Sequence, residues 1–232
     1  MNIPRRPVTF SSTCPFGFVT FVIGKVHRMG VYSDTIFPRL MSACLKSEAI
    51  CRLKAELLAK ACGAVLEIGI GTWSNLQLYD RGRVSSIIGV EPLAAMKTHH
   101  QNLRLDIPYE IVYDAAEHVY FPNGSFDTVT STFALCSIRD LDSYMIRVLS
   151  MLKGGGRLLF LEHGIGSGRI RPAVQWVYNF IQKPFTQGCS ITKDYHEITG
   201  CKGIAVTDFR RIYEPSMPLL TEDLYYIEAY KK

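Results

Sequence analysis

The chain has 232 residues, 47% hydrophobic and 20% charged, an ordinary globular mix that excludes a disordered or fibrous chain. That length suits one α/β domain with an added cap, and it can bury enough core to need no disulfide or metal staple. The formal charge of +5 is compatible with an anionic membrane surface or an acidic substrate and selects neither. Cys14, Cys44, Cys51, Cys62, Cys136, Cys189 and Cys201 are odd in number, irregularly spaced and free of any CxxC pair. They read as free thiols in a reducing compartment, and they argue against a zinc knuckle.

Residues 1–32 stand apart from a domain over 33–232. Arg5, Arg6, Lys25 and Arg28 occur there, and the first acid is Asp34. The apolar run 16–24 (FGFVTFVIG) is far shorter than the about 20 residues a spanning helix requires. Three roles suit the segment: a cap over the active site, an organelle-type targeting sequence, or a membrane-surface element. The corresponding locations are intracellular, cytoplasmic or membrane-peripheral. From 33 to 61, Ile36, Leu40, Cys44, Ile50, Leu53, Leu57 and Leu58 recur at helical spacing. They predict one or two helices, with Pro38 near a helix start.

A regular alternation follows. Strands are expected at 64–68, 86–90, 109–113, 126–131 and 157–161, with helices at 73–79, 92–102 and 141–152 between them. Gly154, Gly155 and Gly156 are expected to end the last of these helices. Residues 170–181 read as a further helix, and 204–213 and 224–230 as late strands. Short apolar strands alternating with helices imply a parallel sheet covered on both faces.

The turn Glu67-Ile68-Gly69-Ile70-Gly71-Thr72 joins the first of these strands to its helix, where ligands gather at carboxyl strand ends. A dinucleotide fingerprint needs a third Gly or Ala at position 74, and Ser74 is there. Pyrophosphate binding, and with it a nicotinamide oxidoreductase, is disfavoured. Two readings remain for the turn: a tight turn with Glu67 capping the next helix, or a ligand site in which Glu67 reaches an ammonium. Glu91 ends the second strand 20 residues after Gly71, where a carboxylate can accept both hydroxyls of a ribose or serve structure alone. After the third strand, Asp114-Ala115-Ala116-Glu117 leaves room for a flat base.

The stretches GAVLEIGIGTWSNLQLYD, GVEP, DAAEHVYFPNGSFDTVTSTFALCSI and VLSMLKGGGRLLFLEHG resemble the class I S-adenosylmethionine-dependent methyltransferases. In particular they resemble the branch of methyltransferase-like thiol methyltransferases of lipid droplets and endoplasmic reticulum, with its bacterial relatives. That branch also continues as LEHG, a tryptophan-bearing helix and a GC turn, which here are residues 161–164, Trp176 and Gly188-Cys189. Wider relatives include ubiquinone-pathway and phospholipid N-methyltransferases. The resemblance covers residues 32–230. It implies an α/β, Rossmann-like doubly wound sheet of about seven strands with helices on both faces, an antiparallel last strand and an N-terminal helical cap. It also implies S-adenosylmethionine as cofactor. Glu67, Gly69 and Gly71 would line the methionine end, Glu91 would hold the ribose, and Ala115, Ala116, Glu117 and Phe133 would surround the adenine. Thr72, Asn75, Pro92 and Asp114 complete the cofactor set. Two departures stand out: Asp114 sits one place early, and the family's LKPGG turn is here Lys153-Gly154-Gly155-Gly156.

On the acceptor side, His163 and Glu162 are the candidate catalytic residues. His163 suits a base for a thiol, a partner for its anion, or a structural histidine ordering the cap. Cys136 and Cys189 read as packing residues, and no metal constellation is visible, since His99 and His100 are adjacent and do not share a helix face. The expected activity is methyl transfer to a small or lipophilic acceptor. A thiol comes first, then a quinol ring carbon or a phospholipid amine; the non-enzyme alternative is an inactive S-adenosylmethionine-binding protein. In the tail, Trp176, Tyr178, Phe180, Phe185 and Tyr195 interleave with Arg169, Arg171, Lys183 and Lys193. No RNA module accompanies them, so nucleic acid is not expected as a partner. They suit a hydrophobic substrate lid in peripheral contact with a membrane, or simply the last helix and strands of the sheet.

Overall fold

In the computed structural model, which describes residues 6–8, 20–22, 30, 32–45, 47–99 and 106–232, the apolar runs after residue 62 become one sheet. Its strands are β3 (Gly63–Ile68), β4 (Val84–Val90), β5 (Tyr109–Val112), β7 (Phe126–Thr132), β8 (Leu152–His163), β9 (Ile204–Tyr213) and β10 (Asp223–Lys231). They lie in the order β5-β4-β3-β7-β8-β10-β9. The first five are mutually parallel, and β10 runs antiparallel to both β8 and β9. A second sheet joins β1 (Arg6–Val8), β2 (Thr20–Val22) and β6 (Val119–Tyr120).

Both faces of the main sheet are covered, and the alternation of side chains shows how. Leu158 and Phe160 of β8 and Tyr225 and Ile227 of β10 enter one core. Leu159 and Leu161, with Leu224 and Tyr226, enter the other. Helix α3 (Leu141–Met151) packs Met145 and Val148 into the first core, and α2 (Glu48–Leu58) packs Ile50, Leu57 and Leu58 into the second. Both helices start on side-chain caps: Ser47 accepts from Ile50 N–H, and Asp140 from Ser143 N–H. Chain order reverses direction between β3 and β7, so the switch point lies at their carboxyl ends, the usual ligand crevice of such sheets.

The N-terminal helical piece consists of a π turn (Tyr32–Ile36) running into α1 (Phe37–Cys44). Its Phe37 packs on Leu93 and Met96, over the turn that follows β4. Of the apolar run 16–24, Thr20–Val22 form β2, and the rest lies outside the described residues. Among the described residues no helix is long and apolar enough to cross a membrane.

Three expected elements differ. The helix at 73–79 is a 3-10 turn (Ser74–Leu78), entered through Trp73 in the left-handed region at φ 61°; an α-helix cannot start regularly from that conformation. The helix at 92–102 is likewise a 3-10 turn (Ala94–His99), and His100 lies outside the described residues. The three glycines do not cap α3. Leu152 is already extended, fully buried and paired with Phe126, so Gly154–Gly156 belong to β8.

Candidate functional site

The carboxyl ends of β3, β4, β7 and β8 converge at the switch point. Glu67, near the end of β3, is 1% exposed. Its Oε1 accepts from Asn75 Nδ2 at 2.6 Å and its Oε2 from the Tyr79 hydroxyl at 3.0 Å. Asn75 Nδ2 also donates to Thr132 Oγ1. Glu67 therefore points inward, held by two side chains of the following turn, and does not cap a helix. Burial outweighs these bonds and the neighbouring Lys54, and pushes its pKa up to about 7.

The two glycines of the turn serve different ends. Both have positive φ, 69° at Gly69 and 54° at Gly71. A Cβ on Gly69 would fall 2.2 Å from the Ala134 Cβ, so this glycine lets the turn pack on the loop after β7. A Cβ on Gly71 would meet nothing nearer than Gly69 O at 3.9 Å; here the backbone stays bare toward open space. Thr72 follows, half-buried.

Glu91 directly follows β4 and is 5% exposed. Its Oε2 accepts from Gly71 N–H at 2.9 Å and its Oε1 from Leu93 N–H at 3.0 Å. The acid thus ties the glycine turn to its own turn, and each oxygen keeps a lone pair for a ligand. Burial carries its pKa to about 7 against those two bonds. Pro92 beside it is exposed.

Past β5, Asp114 Oδ1 accepts from Ala115 N–H at 2.7 Å and meets His118 Nδ1 at 3.0 Å. The backbone amide at 115 is therefore already engaged. Ala115 is half-buried and Ala116 buried, and Glu117 Oε1 takes up Arg139 N–H. Phe133 sits at φ 59° just after β7, its ring is stacked on His163 at 5.9 Å, and Lys54 Nζ lies 5.6 Å from its centroid.

At the end of β8, Glu162 is fully buried. Its Oε1 gathers Ser131 Oγ–H, Ala134 N–H and Leu135 N–H at 2.7–3.0 Å. This carboxylate shapes the loop after β7, and burial raises its pKa despite those donors. His163 is 6% exposed, with Nε2 2.9 Å from Cys189 Sγ. Burial opposes its charged form, while the Cys136 sulfur and Glu162 outweigh it and raise its pKa. Asn75 Oδ1, Glu162 Oε2 and His163 Nδ1 are buried without a hydrogen-bond partner, a condition that costs about 1–3 kcal/mol per group and is relieved by a polar ligand.

The fold adds a feature of the two cysteines that the sequence did not show. Cys136 and Cys189 do pack, with Ile191 and Leu220. They also stand with His163 so that one ligand atom of each lies within 4.8 Å of the others. Motif spacing could not reveal this, because the loop after β7, the end of β8 and the turn before Ser190 meet only in the fold.

Lys54 was missed. It is 5% exposed on the buried face of α2, where burial lowers its pKa while Glu67, Cys51 and Glu162 act the other way. The signal was present: Ile50, Lys54, Leu57 and Leu58 share the buried stripe, and a lysine in that row calls for a buried partner. Glu67 and Glu162 act on this buried lysine, and Glu91 adds a third buried carboxylate at the strand ends. The excess of acid favours a ligand carrying positive charge.

Known proteins resemble the chain in sequence and in fold. A human thiol S-methyltransferase, TMT1B, is 27% identical over 158 residues, covering 64% of this chain and 63% of that protein. The ubiquinone/menaquinone biosynthesis C-methyltransferase UbiE of Hahella chejuensis is 30% identical over 141 residues, covering 58% and 56%. The chain thus matches less than two thirds of the length of these curated relatives. The S-adenosylmethionine dependent methyltransferase structure from Mesorhizobium loti shares the fold at a TM-score of 0.57 and 16% identity, covering 80% of this chain and 99% of that one. The model of the methyltransferase domain matches residues 45–195; with its crevice at the switch point and its buried acids on β3 and after β4, the chain belongs to the methyltransferase domain family.

Proposed function

We propose that this chain transfers a methyl group from S-adenosylmethionine to a small or lipophilic thiol. The observation that carries the donor is the excess of buried carboxylate at the switch point, which suits a ligand bearing both a sulfonium and an ammonium. When bound, this donor supplies a methyl group already activated on a positively charged sulfur. Glu67 and Asn75 take the amino-acid end, with the bare backbone at Gly69, Gly71 and Thr72 beside it. The free lone pairs of Glu91 accept the ribose hydroxyls, next to Pro92. Asp114, Ala115 and Ala116 border the base, with Asp114 holding the turn. Phe133 closes the pocket between Lys54 and His163.

An activated methyl asks for in-line attack and a dry site more than for strong acid–base chemistry. Glu162 is a positioning residue, because its buried Oε1 fixes Ala134 and Leu135. His163 favours the deprotonated acceptor, by taking its proton or by pairing with its anion. A thiol with pKa about 8.5 needs little such help at neutral pH, and the likeness to TMT1B adds weight to that acceptor.

The lipophilic side of the reading rests on α4 (Ile170–Gln182). Its polar stripe faces inward: Gln175 is fully buried and bonds Gly166 N–H, Gly164 O and Leu220 O, while Asn179 and Gln182 bond the segment 189–192. Its apolar stripe faces out, with Ile170 at 80%, Trp176 at 72% and Phe180 at 85% exposure. No acid occurs from 164 to 193, whereas Arg169 and Lys183 flank the helix. An inverted helix with cationic ends suits the surface of an anionic lipid bilayer. The protein should cosediment with vesicles of anionic phospholipid, and Phe180→Asp should release it; equal sedimentation of both would remove the lipid contact.

Two measurements test the main reading. Calorimetry with S-adenosylmethionine and with its demethylated product should show binding; folded protein that binds neither refutes the donor. A panel of thiols, quinols and lipid amines with a labelled methyl donor should show transfer to thiols. Transfer to amines alone, or to the ring carbon that UbiE's name specifies, would refute the thiol.

A further inference from the structure

We infer that Cys136, His163 and Cys189 form a binding site for a soft divalent cation, zinc in the first place, whose fourth coordination position is open to a thiol. Two sulfurs and one imidazole nitrogen are a donor set that zinc prefers, and three protein ligands with one free position is the pattern of reactive zinc sites. Tetrahedral zinc with ordinary bond lengths holds such donors about 3.5–3.8 Å apart. The trio already lies within 4.8 Å, so side-chain shifts of about 1 Å or less complete it. Two thiolates balance the double charge, so the filled site is neutral and its burial is tolerable.

The scaffold holds the three ligands from different elements. Cys136 lies in a 3-10 turn (Leu135–Ser137) whose Leu135 N–H is bound by Glu162. Ser190 N–H donates to Cys136 O at 3.0 Å, which clamps the two cysteine segments together. Gln182 of α4 holds Cys189 O at 2.9 Å, and Phe133 stacks on the His163 ring. Among the described residues, four besides glycine have positive φ: Trp73, Phe133, Gln187 and Leu220. Three of these border the trio, since Phe133 stacks on His163, Gln187 is two residues before Cys189, and Leu220 packs on the cluster that holds both cysteines. Such conformations cost about 1–3 kcal/mol each and persist where the surroundings over-determine them, most often at functional sites. An opening of about 660 Å³, lined by Cys136, Lys183, Gly188, Thr192 and Lys193 among others, reaches one of the three ligands from outside.

With Nε2 on the metal, Nδ1 keeps the ring proton, so in the metal-loaded protein the ion, and not the imidazole, holds the acceptor as its anion. The role of the fourth position rests on the methyl-transfer reading. The acceptor thiol binds as thiolate and its proton passes to solvent. A sulfur electron pair then forms the bond to the methyl carbon, while the carbon–sulfonium bond breaks with its pair left on the donor sulfur. The product is a thioether, a weaker zinc ligand than a thiolate, and is released.

The experiment uses the reduced full-length chain and cobalt(II) as the probe. One equivalent should bind and produce a sulfur-to-cobalt charge-transfer band in the near ultraviolet, and zinc should displace it. Zinc should protect Cys136 and Cys189, but not Cys201, from alkylation mapped by mass spectrometry. Cys136→Ser, Cys189→Ser and His163→Gln should each weaken zinc binding by at least about 100-fold, whereas Cys201→Ser should not. A folded wild-type chain with no charge-transfer band, or with no zinc protection of the two thiols, overturns the site even if the variants fail to fold. Adding a small monothiol to the cobalt form should strengthen the band; an unchanged band overturns the open position. Calorimetry with S-adenosylmethionine, run on the same sample, reports separately on the donor reading.

Discussion

Replacing Glu91 with Gln separates the ligand role of this acid from its structural one. In the wild-type chain the two oxygens each accept one backbone N–H, from Gly71 and Leu93, which leaves two acceptor positions for the ribose. Bonds to a charged acceptor contribute about 1.5–3 kcal/mol each. The amide retains one acceptor oxygen and turns an N–H₂ toward the Gly71 N–H. A loss of about 2–4 kcal/mol is expected, roughly 30- to 1,000-fold in Kd. Stability should change far less. The neutral amide avoids burying a charge, and this offsets the weakened bond to Gly71. The wild-type pKa of about 7 adds a second signature. If binding needs the ionised acid, its ionised fraction rises about tenfold from pH 6 to pH 8, and Glu67, also near 7, adds a further factor. The Gln variant should lose the part due to Glu91. Calorimetry with S-adenosylmethionine at three pH values, beside urea unfolding of both chains, makes the comparison. A Kd within threefold of wild type at pH 8, with the fold intact, refutes the ribose role.

Without ligand, the same two acids should make the fold less stable as pH rises. Their folded pKa values, about 7, lie above the ordinary 4.5, so the stabilisation is fully present below about 4.5 and is lost as pH climbs through 7, by about 3 kcal/mol for each acid. Urea midpoints from pH 5 to 8 check this, and a flat profile in the ligand-free chain contradicts it. Gly69→Ala should cost roughly 2–5 kcal/mol, from left-handed strain plus the 2.2 Å approach to Ala134. Adding Ala134→Gly should restore the packing part only, and full recovery or none would show that one of these two terms is absent. Gln175→Leu removes partners from Gly166 N–H, Gly164 O and Leu220 O and should lower stability by about 3 kcal/mol. An increase in stability would mean that α4 is not held by its polar stripe.

β3, β4 and the end of β8 were legible because they are short apolar runs, and runs buried on both sides of a parallel sheet carry no competing pattern. β9 was read with its observed ends. The turns between strands were not legible as 3-10 pieces: the apolar spacing at Leu76 and Leu78 suits either helix, and only Trp73 at φ 61° decides. Gly154–Gly156 misled for a related reason. Glycine is a good helix stop, but the burial of Leu152 against its sheet partner Phe126 had already ended α3. In the candidate site, Glu67 and Glu91 were readable because strand ends fix their place. The Cys136–His163–Cys189 trio was not, since its members come from three separate elements.

Lys54 and Gln175 mark the deeper limit of periodicity. Helical spacing identifies two faces but does not say which is inside. In α2 the apolar stripe faces the core, and Lys54 is the single polar residue in it, drawn there by Glu67 and Glu162. In α4 the usual sense is reversed, since Gln175, Asn179 and Gln182 find backbone and side-chain partners inward that apolar residues could not satisfy. Once those polar partners claim the inner face, the apolar stripe has nowhere to go but out. The exposed stripe is therefore a consequence of how the segment 189–192 is held, and that segment carries Cys189. The same hydrogen bonds that aim the sulfur toward His163 also turn the apolar face of α4 outward, so a change that rights the helix should disturb the cysteine cluster as well.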